Sequence, residues 1–326
     1  MSENIFMFIF FAVGILLIVK GGDVFVDAAS YIAEAFGIPK FIIGATIVSL
    51  ATTLPETIVS SIAAIQSRAL VDEAANSKVA MAIGNAVGSV TANIGLILAI
   101  SIIFMPLAIE RKKYNVKAIL LLLSVGSLTL LCLSGDLTLL KSLVLLAIFI
   151  VFIIENIKSA KTEVQAATVE TKSNKLLVKN IILLIIGAAA IVIGSNLLVN
   201  KGSEIAYMFG VSEKIIGFTA IAIGTSLPEL VTTISSLIKR EPSMGVGNII
   251  GANIIDVTMI LPICAIIKGG SLPVETQVAS FDIPVCLLIT IIAIIPPMIQ
   301  KKFMRWQGFT VLAIYLSYLV YSCAVA

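Results

Sequence analysis

Apolar runs long enough to cross a bilayer follow one another from one end of this chain to the other, parted by short polar breaks. About 20 apolar residues in helical form span the hydrocarbon core of a membrane. The pattern therefore predicts ten transmembrane helices, at 5–36, 39–66, 79–105, 116–134, 137–157, 178–209, 213–238, 244–267, 282–299 and 307–325. The short connections near Glu110–Lys117 and at Gly135–Asp136 separate the third, fourth and fifth of these. Composition agrees with the pattern: 59% of residues are hydrophobic, 13% are charged and the mean hydropathy is +1.11. Soluble domains of this length are far more polar, so the expected fold class is an all-α polytopic membrane protein. The opening Met-Ser-Glu-Asn lacks the basic region of a cleavable signal.

The net charge of +3 is distributed as a topology signal. Loops after the odd-numbered helices carry fifteen of the 22 basic residues: Lys40; Arg111, Lys112, Lys113 and Lys117; Lys158, Lys161, Lys172, Lys175 and Lys179; Lys239 and Arg240; Lys301, Lys302 and Arg305. The positive-inside rule makes these loops cytoplasmic and puts both termini outside the cytoplasm. Nothing in this charge pattern calls for nucleic acid. Apart from Lys20, no lysine falls inside the core of a predicted helix. Cys132, Cys264, Cys286 and Cys323 are scattered through apolar segments and read as small buried hydrophobes. The chain has no histidine, which excludes a histidine metal site or proton relay.

The chain repeats itself. Residues 14–56 align with 187–229 without a gap, identical at 18 of 43 positions. Gly84-Asn-Ala-Val-Gly-Ser-Val-Thr-Ala-Asn93 then matches Gly247-Asn-Ile-Ile-Gly-Ala-Asn-Ile-Ile-Asp256, the first copy carrying ten extra residues before it. The division is 1–157 as the first repeat, 158–178 as a polar cytoplasmic linker and 179–326 as the second repeat. Five helices is an odd number, so the two copies run in opposite directions through the membrane. Inverted repeats with interrupted helices at matching positions are characteristic of secondary transporters, whose binding site lies at mid-membrane between the repeats.

Each copy places a glutamate one residue after a helix-breaking proline, in Thr52-Thr-Leu-Pro-Glu56 and Thr225-Ser-Leu-Pro-Glu229. An intramembrane carboxylate is costly and points to function. Proline lacks an N–H, so the carbonyls of Ala51 and Gly224 lose their helical donors and those of Thr52 and Thr225 are expected to tilt free. Lipid cannot satisfy such groups, so they must face protein or a polar cavity. Thr52, Thr53, Thr225 and Ser226 add hydroxyls. Gly88 and Gly251 permit close approach by the second segment, which brings Asn93 and Asp256. Together these supply three carboxylates, an amide, hydroxyls and carbonyls, a donor set suited to hard cations such as Ca2+ and Na+ and not to zinc or copper.

Plainer readings exist for some residues. A single Leu-Pro-Glu could be a kinked helix with a paired glutamate, but duplication at matched depth argues against it. Gly84-Asn85 and Gly247-Asn248 alone suit helix packing. Asn93 fits a helix–helix hydrogen bond as well as it fits a ligand. Asp23 and Asp27 fit a solvated structural role.

These paired motifs resemble the sodium/calcium exchanger family of the cation/Ca2+ antiporter superfamily, in its compact prokaryotic form, over essentially the whole chain. The resemblance implies antiport of Na+ against Ca2+ by alternating access in the cell membrane, with no enzymatic step and no cofactor beyond the transported ions. It implies that Glu56 and Glu229 ligate Ca2+ with the carbonyls of Thr52 and Thr225. Sodium sites would use the carbonyls of Ser49 and Ala222, the side chains of Thr53, Ser89, Thr225 and Ser226, and both glutamates. Helices 1 and 6 would slide across the rest. The chain departs from the family pattern in several places. Ala252 stands where serine is common, Ser49 where alanine is usual, and Thr53 where serine is usual. Asp256 matches the potassium-dependent branch and some prokaryotic members. Gly88 and Gly251 occupy positions that are glutamate in proton-coupled relatives. The alternatives are Ca2+/H+ or K+-dependent Na+/Ca2+ exchange and, further off, a passive cation channel. The paired Leu-Pro-Glu does not supply the two aspartates of an intramembrane protease. The implied partners are the two ions and the lipid bilayer, with no protein partner indicated.

Overall fold

The computed structural model describes residues 2–69, 73–106, 111–166, 174–209 and 224–325. It is helical almost throughout. In chain order the elements are α1 (Ser2–Phe36), α2 (Lys40–Thr52), α3 (Leu54–Ala69), α4 (73–104), α5 (Arg111–Cys132), β1 (Asp136–Leu137), α6 (Leu139–Ala166), α7 (Asn174–Met208), α8 (Leu227–Ile238), α9 (Pro242–Lys268), β2 (Leu272–Pro273), α10 (Val278–Gln300) and α11 (Arg305–Val325). Seven helices among the described residues are long and apolar enough to cross a membrane, and the bent pair α2–α3 makes an eighth. Helices α8 and α11 complete an arrangement consistent with ten spans. The first half of the predicted helix 213–238 lies outside the described residues.

Two boundaries differ instructively from the sequence pattern. The predicted helix 39–66 is two helices meeting at 43°. The stretch expected as a linker, 158–178, is partly helix: α6 runs on to Ala166 and α7 begins at Asn174. Alanine, lysine, glutamate and glutamine in Ser159–Ala166 are good helix formers, so the helix continues past the end of its apolar stretch.

Contacts between loops support the predicted alternation of sides. The connection after α5 pairs with the one after α9 through β1 and β2, Asp136 opposite Pro273 and Leu137 opposite Leu272. Asp136 also takes hydrogen bonds from Lys141 at 2.6 Å and Ser271 at 3.2 Å. The bond from Lys141, with that from Ser134, holds this exposed carboxyl below the usual carboxylate range. Elsewhere Lys40 pairs with Glu241, and Lys239 with Asp27 at 2.7 Å. Asp27 thus has the solvated structural role expected of it. One basic residue was misplaced by the sequence count. Lys117 lies within α5, buried, its ammonium 5.4 Å from the centre of the Phe152 ring and without a hydrogen-bond partner among the described residues. It belongs to the helix and not to the preceding loop.

The interior divides in two. A large apolar core joins α3, α4, α5, α6, α9, α10 and α11. A smaller one joins Phe25, Val26, Ala29 and Ala33 of α1 and Ile191 of α7 to Ile43, Val48 and Met244. The two long helices α1 and α7 cross through glycines at repeat-equivalent positions. A Cβ on Gly14 would sit 3.1 Å from the Gly194 carbonyl, and one on Gly21 would sit 3.1 Å from the Gly187 carbonyl. Backbones approach this closely in membranes because small residues let van der Waals packing replace the missing hydrophobic drive. Cys132, Cys264 and Cys286 are buried free thiols, as their apolar neighbourhoods suggested.

Candidate cation site

The two Leu-Pro-Glu motifs fold alike. Helix α2 ends at Thr52, and Thr53 takes φ −84°, ψ 1°. Its repeat equivalent Ser226 takes φ −84°, ψ 3°. Both lie in the sparsely populated bridge region, off the helical basin. A new helix starts one residue later, at Leu54 or Leu227, with the proline in its first turn, where a missing N–H is tolerated. Thr57 N–H then bonds the Thr53 carbonyl, and Leu230 N–H the Ser226 carbonyl, both at 3.0 Å. Glu56 and Glu229 fall in the first turns of α3 and α8. The partial positive charge of a helix N-terminus favours a carboxylate there.

The second segments pass across these breaks in α4 and α9. Glycine is needed where α9 meets α2: a Cβ on Gly251 would lie 2.6 Å from Ser49 Oγ and 2.7 Å from the Ala45 carbonyl. Gly44 and Gly247 pack against the backbone carbonyls of Met244 and Phe41. Asn93 and Asp256, the repeat-equivalent polar residues, each open a π-helical turn, Asn93–Leu98 and Asp256–Ile260. Such turns recur at functional sites because the wider turn redirects side chains.

Nearly every predicted site residue is buried. Ser49, Thr52, Thr53, Glu56, Ser89, Asn93, Ser226, Glu229 and Asp256 are enclosed, and Thr225 is half-buried. Ala222 lies outside the described residues. The three acids feel one another: Glu56 is within electrostatic reach of Glu229 and Asp256, and Asp256 of Glu229. Glu56 lies beside Thr225 and Glu229 beside Thr52, short of a regular hydrogen bond in each case. Each acid therefore faces the threonine of the other repeat.

What distinguishes this region is its orphaned oxygens. Both carboxylate oxygens of Glu56, Glu229 and Asp256, the amide oxygen of Asn93 and the hydroxyl of Ser226 are buried without a hydrogen-bond partner among the described residues. No ammonium or guanidinium among the described residues pairs with the acids. Buried polar groups are normally satisfied, and a buried unpaired charge is strongly unfavourable. A set of enclosed oxygens with no regular hydrogen-bond donor among the described residues fits a hard cation. Among the described residues no three Asp, Glu, Cys or His side chains close round one point. The oxygens left without a partner there include an amide and a hydroxyl beside the carboxylates.

Two expected ligands are partly engaged. The Ser49 carbonyl accepts the Thr53 N–H at 3.0 Å, lies 3.3 Å from Thr52 Oγ1 and also takes the Thr53 hydroxyl. Threonine back-bonding of this kind competes with other uses of a helical carbonyl. Asn93 donates its amide to Asn253 Oδ1 at 2.9 Å, the helix–helix bond considered for it, and turns its oxygen elsewhere. Asn253 itself was not singled out, because its counterpart in the first repeat is Val90 and duplication gives no signal. Asn85 and Asn248 were set aside as packing residues. They bond across the repeats, and the duplicated Gly-Asn was the available signal.

Comparison with known proteins agrees with this architecture. The family model described as sodium/calcium exchanger protein matches residues 6–158 and 179–324. An uncharacterized membrane protein of Methanocaldococcus jannaschii is 32% identical over 307 residues, covering 94% of this chain and 95% of its own. The sodium/calcium exchanger MaX1 of Methanosarcina acetivorans is 27% identical, covering 96% and 97%. A solved structure of the sodium-calcium exchanger NCX_Mj, soaked with 2.5 mM Na+ and 10 mM Sr2+, matches with a TM-score of 0.83 at 29% identity, over 97% of this chain and 99% of that one.

Proposed function

This chain belongs to the sodium/calcium exchanger family, and from that premise we propose that it is a secondary active antiporter exchanging Na+ for Ca2+ across a membrane by alternating access. The observation that carries the reading is the pair of first-turn glutamates, buried at twin helix breaks and paired with no cation among the described residues.

Glu56 and Glu229 are the shared ligands. Ca2+ accepts about six to eight oxygens in irregular geometry, which the glutamates and the carbonyls of Thr52 and Thr225 begin to supply. Sodium draws on the same glutamates with the hydroxyls of Thr53, Ser89, Thr225 and Ser226, the Asn93 amide oxygen and Asp256, with the Ala222 carbonyl, and with the Ser49 carbonyl to the extent its own helix leaves it free. Because the acids are common to both sets, the two ions take turns. An empty cage would leave three buried acids uncompensated, so crossing the membrane without cargo is disfavoured, and exchange is coupled.

Movement is assigned to the glycine-packed pair α1 and α7. They share a small core with the site helices and stand apart from the large one, so they can shift without opening the main interior. The repeats are inverted about the site, residues 1–157 against 179–326, and the basic loops place both termini outside the cytoplasm. The chain acts as a transporter and not an enzyme.

The test uses purified protein in sodium-loaded vesicles diluted into sodium-free buffer with labelled Ca2+. Uptake that disappears without the Na+ gradient is the expected result. Uptake driven by a pH gradient alone, or by neither gradient, would overturn it.

A further inference from the structure

Two asparagines outside the proposed ligand set cross the boundary between the repeats in the same way. Thr52 donates to Asn248 Oδ1 at 3.2 Å, and Thr225 donates to Asn85 Oδ1 at 3.2 Å. Each asparagine then spends its amide N–H on the helix that follows the glutamate of its own repeat. Asn85 Nδ2 donates to Ser60 Oγ at 2.9 Å and lies 3.5 Å from the Glu56 carbonyl. Asn248 Nδ2 donates to Thr232 Oγ1 at 2.9 Å, and that hydroxyl reaches the carbonyls of Pro228 at 2.9 Å and Glu229 at 3.1 Å. Both asparagines are buried. The Asn85 amide has one sensible orientation, because a carbonyl only accepts. Its nitrogen faces Glu56 and its oxygen is left for the threonine.

We infer that Asn85 and Asn248 are positioning residues for Na+, Asn85 through the Thr225 hydroxyl of the sodium set above and Asn248 through the Thr52 hydroxyl, which this inference adds to that set. Each takes up the hydroxyl proton of the opposite repeat's threonine and ties that threonine to the backbone around its own repeat's glutamate. A hydroxyl has one proton and two lone pairs. With the proton committed to an asparagine oxygen, the threonine oxygen presents only lone pairs, which is what a bare cation requires. Released from the asparagine, the hydroxyl turns back on its own helix, and Thr52 Oγ1 already lies 3.3 Å from the Ser49 carbonyl. The pairing also fixes a direction in the neighbouring contact. Ser89 Oγ lies 3.3 Å from Thr225 Oγ1, and since Thr225 donates to Asn85, Ser89 donates to Thr225. The second repeat has Ala252 at the position of Ser89, so its chain ends at Thr52. Both asparagines therefore act through a threonine and touch no ion themselves.

This inference rests on the exchanger reading for the identity of the ion, and its test separates the two. Na+ and Ca2+ half-saturation of exchange are measured in vesicles for Asn85→Leu, Thr225→Val and the double variant, and for Asn248→Leu with Thr52→Val. Thermal melting of the same ion-free proteins is recorded alongside. Loss of one buried hydrogen bond predicts a rise of about three- to tenfold in Na+ half-saturation for Asn85→Leu. Ca2+ half-saturation should move less than about twofold on the same scale. In the Thr225→Val background, Asn85→Leu should add little to the Na+ half-saturation, and in melting only the cost of its separate bond to Ser60. Equal shifts for both ions, or full additivity with Thr225→Val, would overturn the inference. If the wild-type protein shows no Na+-dependent uptake, the exchanger reading fails, and the asparagine–threonine coupling is decided by the melting cycle alone, where additivity refutes it. Should Asn85→Leu not fold, Asn85→Ser, too short to reach both partners, carries the same cycle.

Discussion

The second segments of the two repeats, 84–93 and 247–256, share a backbone and differ in their oxygens. Both place an asparagine opposite the other repeat's threonine, and both enter a π-helical turn at their last residue. At the positions between, Ser89 faces Ala252, Val90 faces Asn253, and Asn93 faces Asp256. Symmetry is kept where the chain must hold two helix breaks open and abandoned among the side chains of the proposed cation site. A strictly symmetric cage with an aspartate in each segment would bury four like charges, and one with two asparagines would leave two. The mixed pair gives three acids and an amide, whose nitrogen is anchored at 2.9 Å to Asn253 so that its oxygen is the free atom.

Changes at these positions break or sharpen that contrast. The largest effect is expected at the element both repeats share. Glu229→Gln or Glu56→Gln removes a proposed ligand of both ions and should lower Na+-driven Ca2+ uptake by about a hundredfold or more, as loss of a buried charged partner does. Vesicle uptake checks it, and near-normal flux in either variant would contradict the assignment. Next comes the asymmetric packing of the second segment. In Gly251→Ala the new Cβ lies 2.6 Å from Ser49 Oγ, and overpacking of that kind should cost about 1–3 kcal/mol of stability, read from melting.

Asp256→Asn makes the second segment resemble the first. It relieves repulsion among the acids, so the ion-free protein should melt higher, while Na+ half-saturation weakens about tenfold through loss of a charged ligand. A lower melting temperature with unchanged Na+ dependence would reverse the argument. The smallest effect is expected of Ala252→Ser. The added hydroxyl can reach Thr52 as Ser89 reaches Thr225, and should strengthen apparent Na+ affinity by about two- to fivefold, seen in the Na+ dependence of uptake.

Much of this was legible in the chain. Proline and glutamate at duplicated positions announced the breaks, since proline removes a donor wherever it falls and lipid cannot replace it. Apolar runs gave the spans for the same reason. The rest was hidden for identifiable causes. Asn253 has no polar counterpart at Val90, so comparing the repeats could not reveal it. Asn85 and Asn248 sit beside glycines whose close packing is explanation enough until their partners are seen. Lys117 lies at the edge of the polar run Glu110–Asn115 and counts with that loop by charge, although its helix carries it inward onto Phe152. The run of α6 to Ala166 follows helix propensity, which hydropathy does not register.

The central claim is that two inverted halves form one acid-lined site that Na+ and Ca2+ occupy alternately. It is tested most directly by equilibrium Ca2+ binding to the purified protein at rising Na+. The account predicts an apparent Ca2+ dissociation constant that climbs without reaching a plateau, and binding lost in both Glu56→Gln and Glu229→Gln. A plateau at high Na+, or full Ca2+ binding in either variant, would mean that the ions do not share these glutamates.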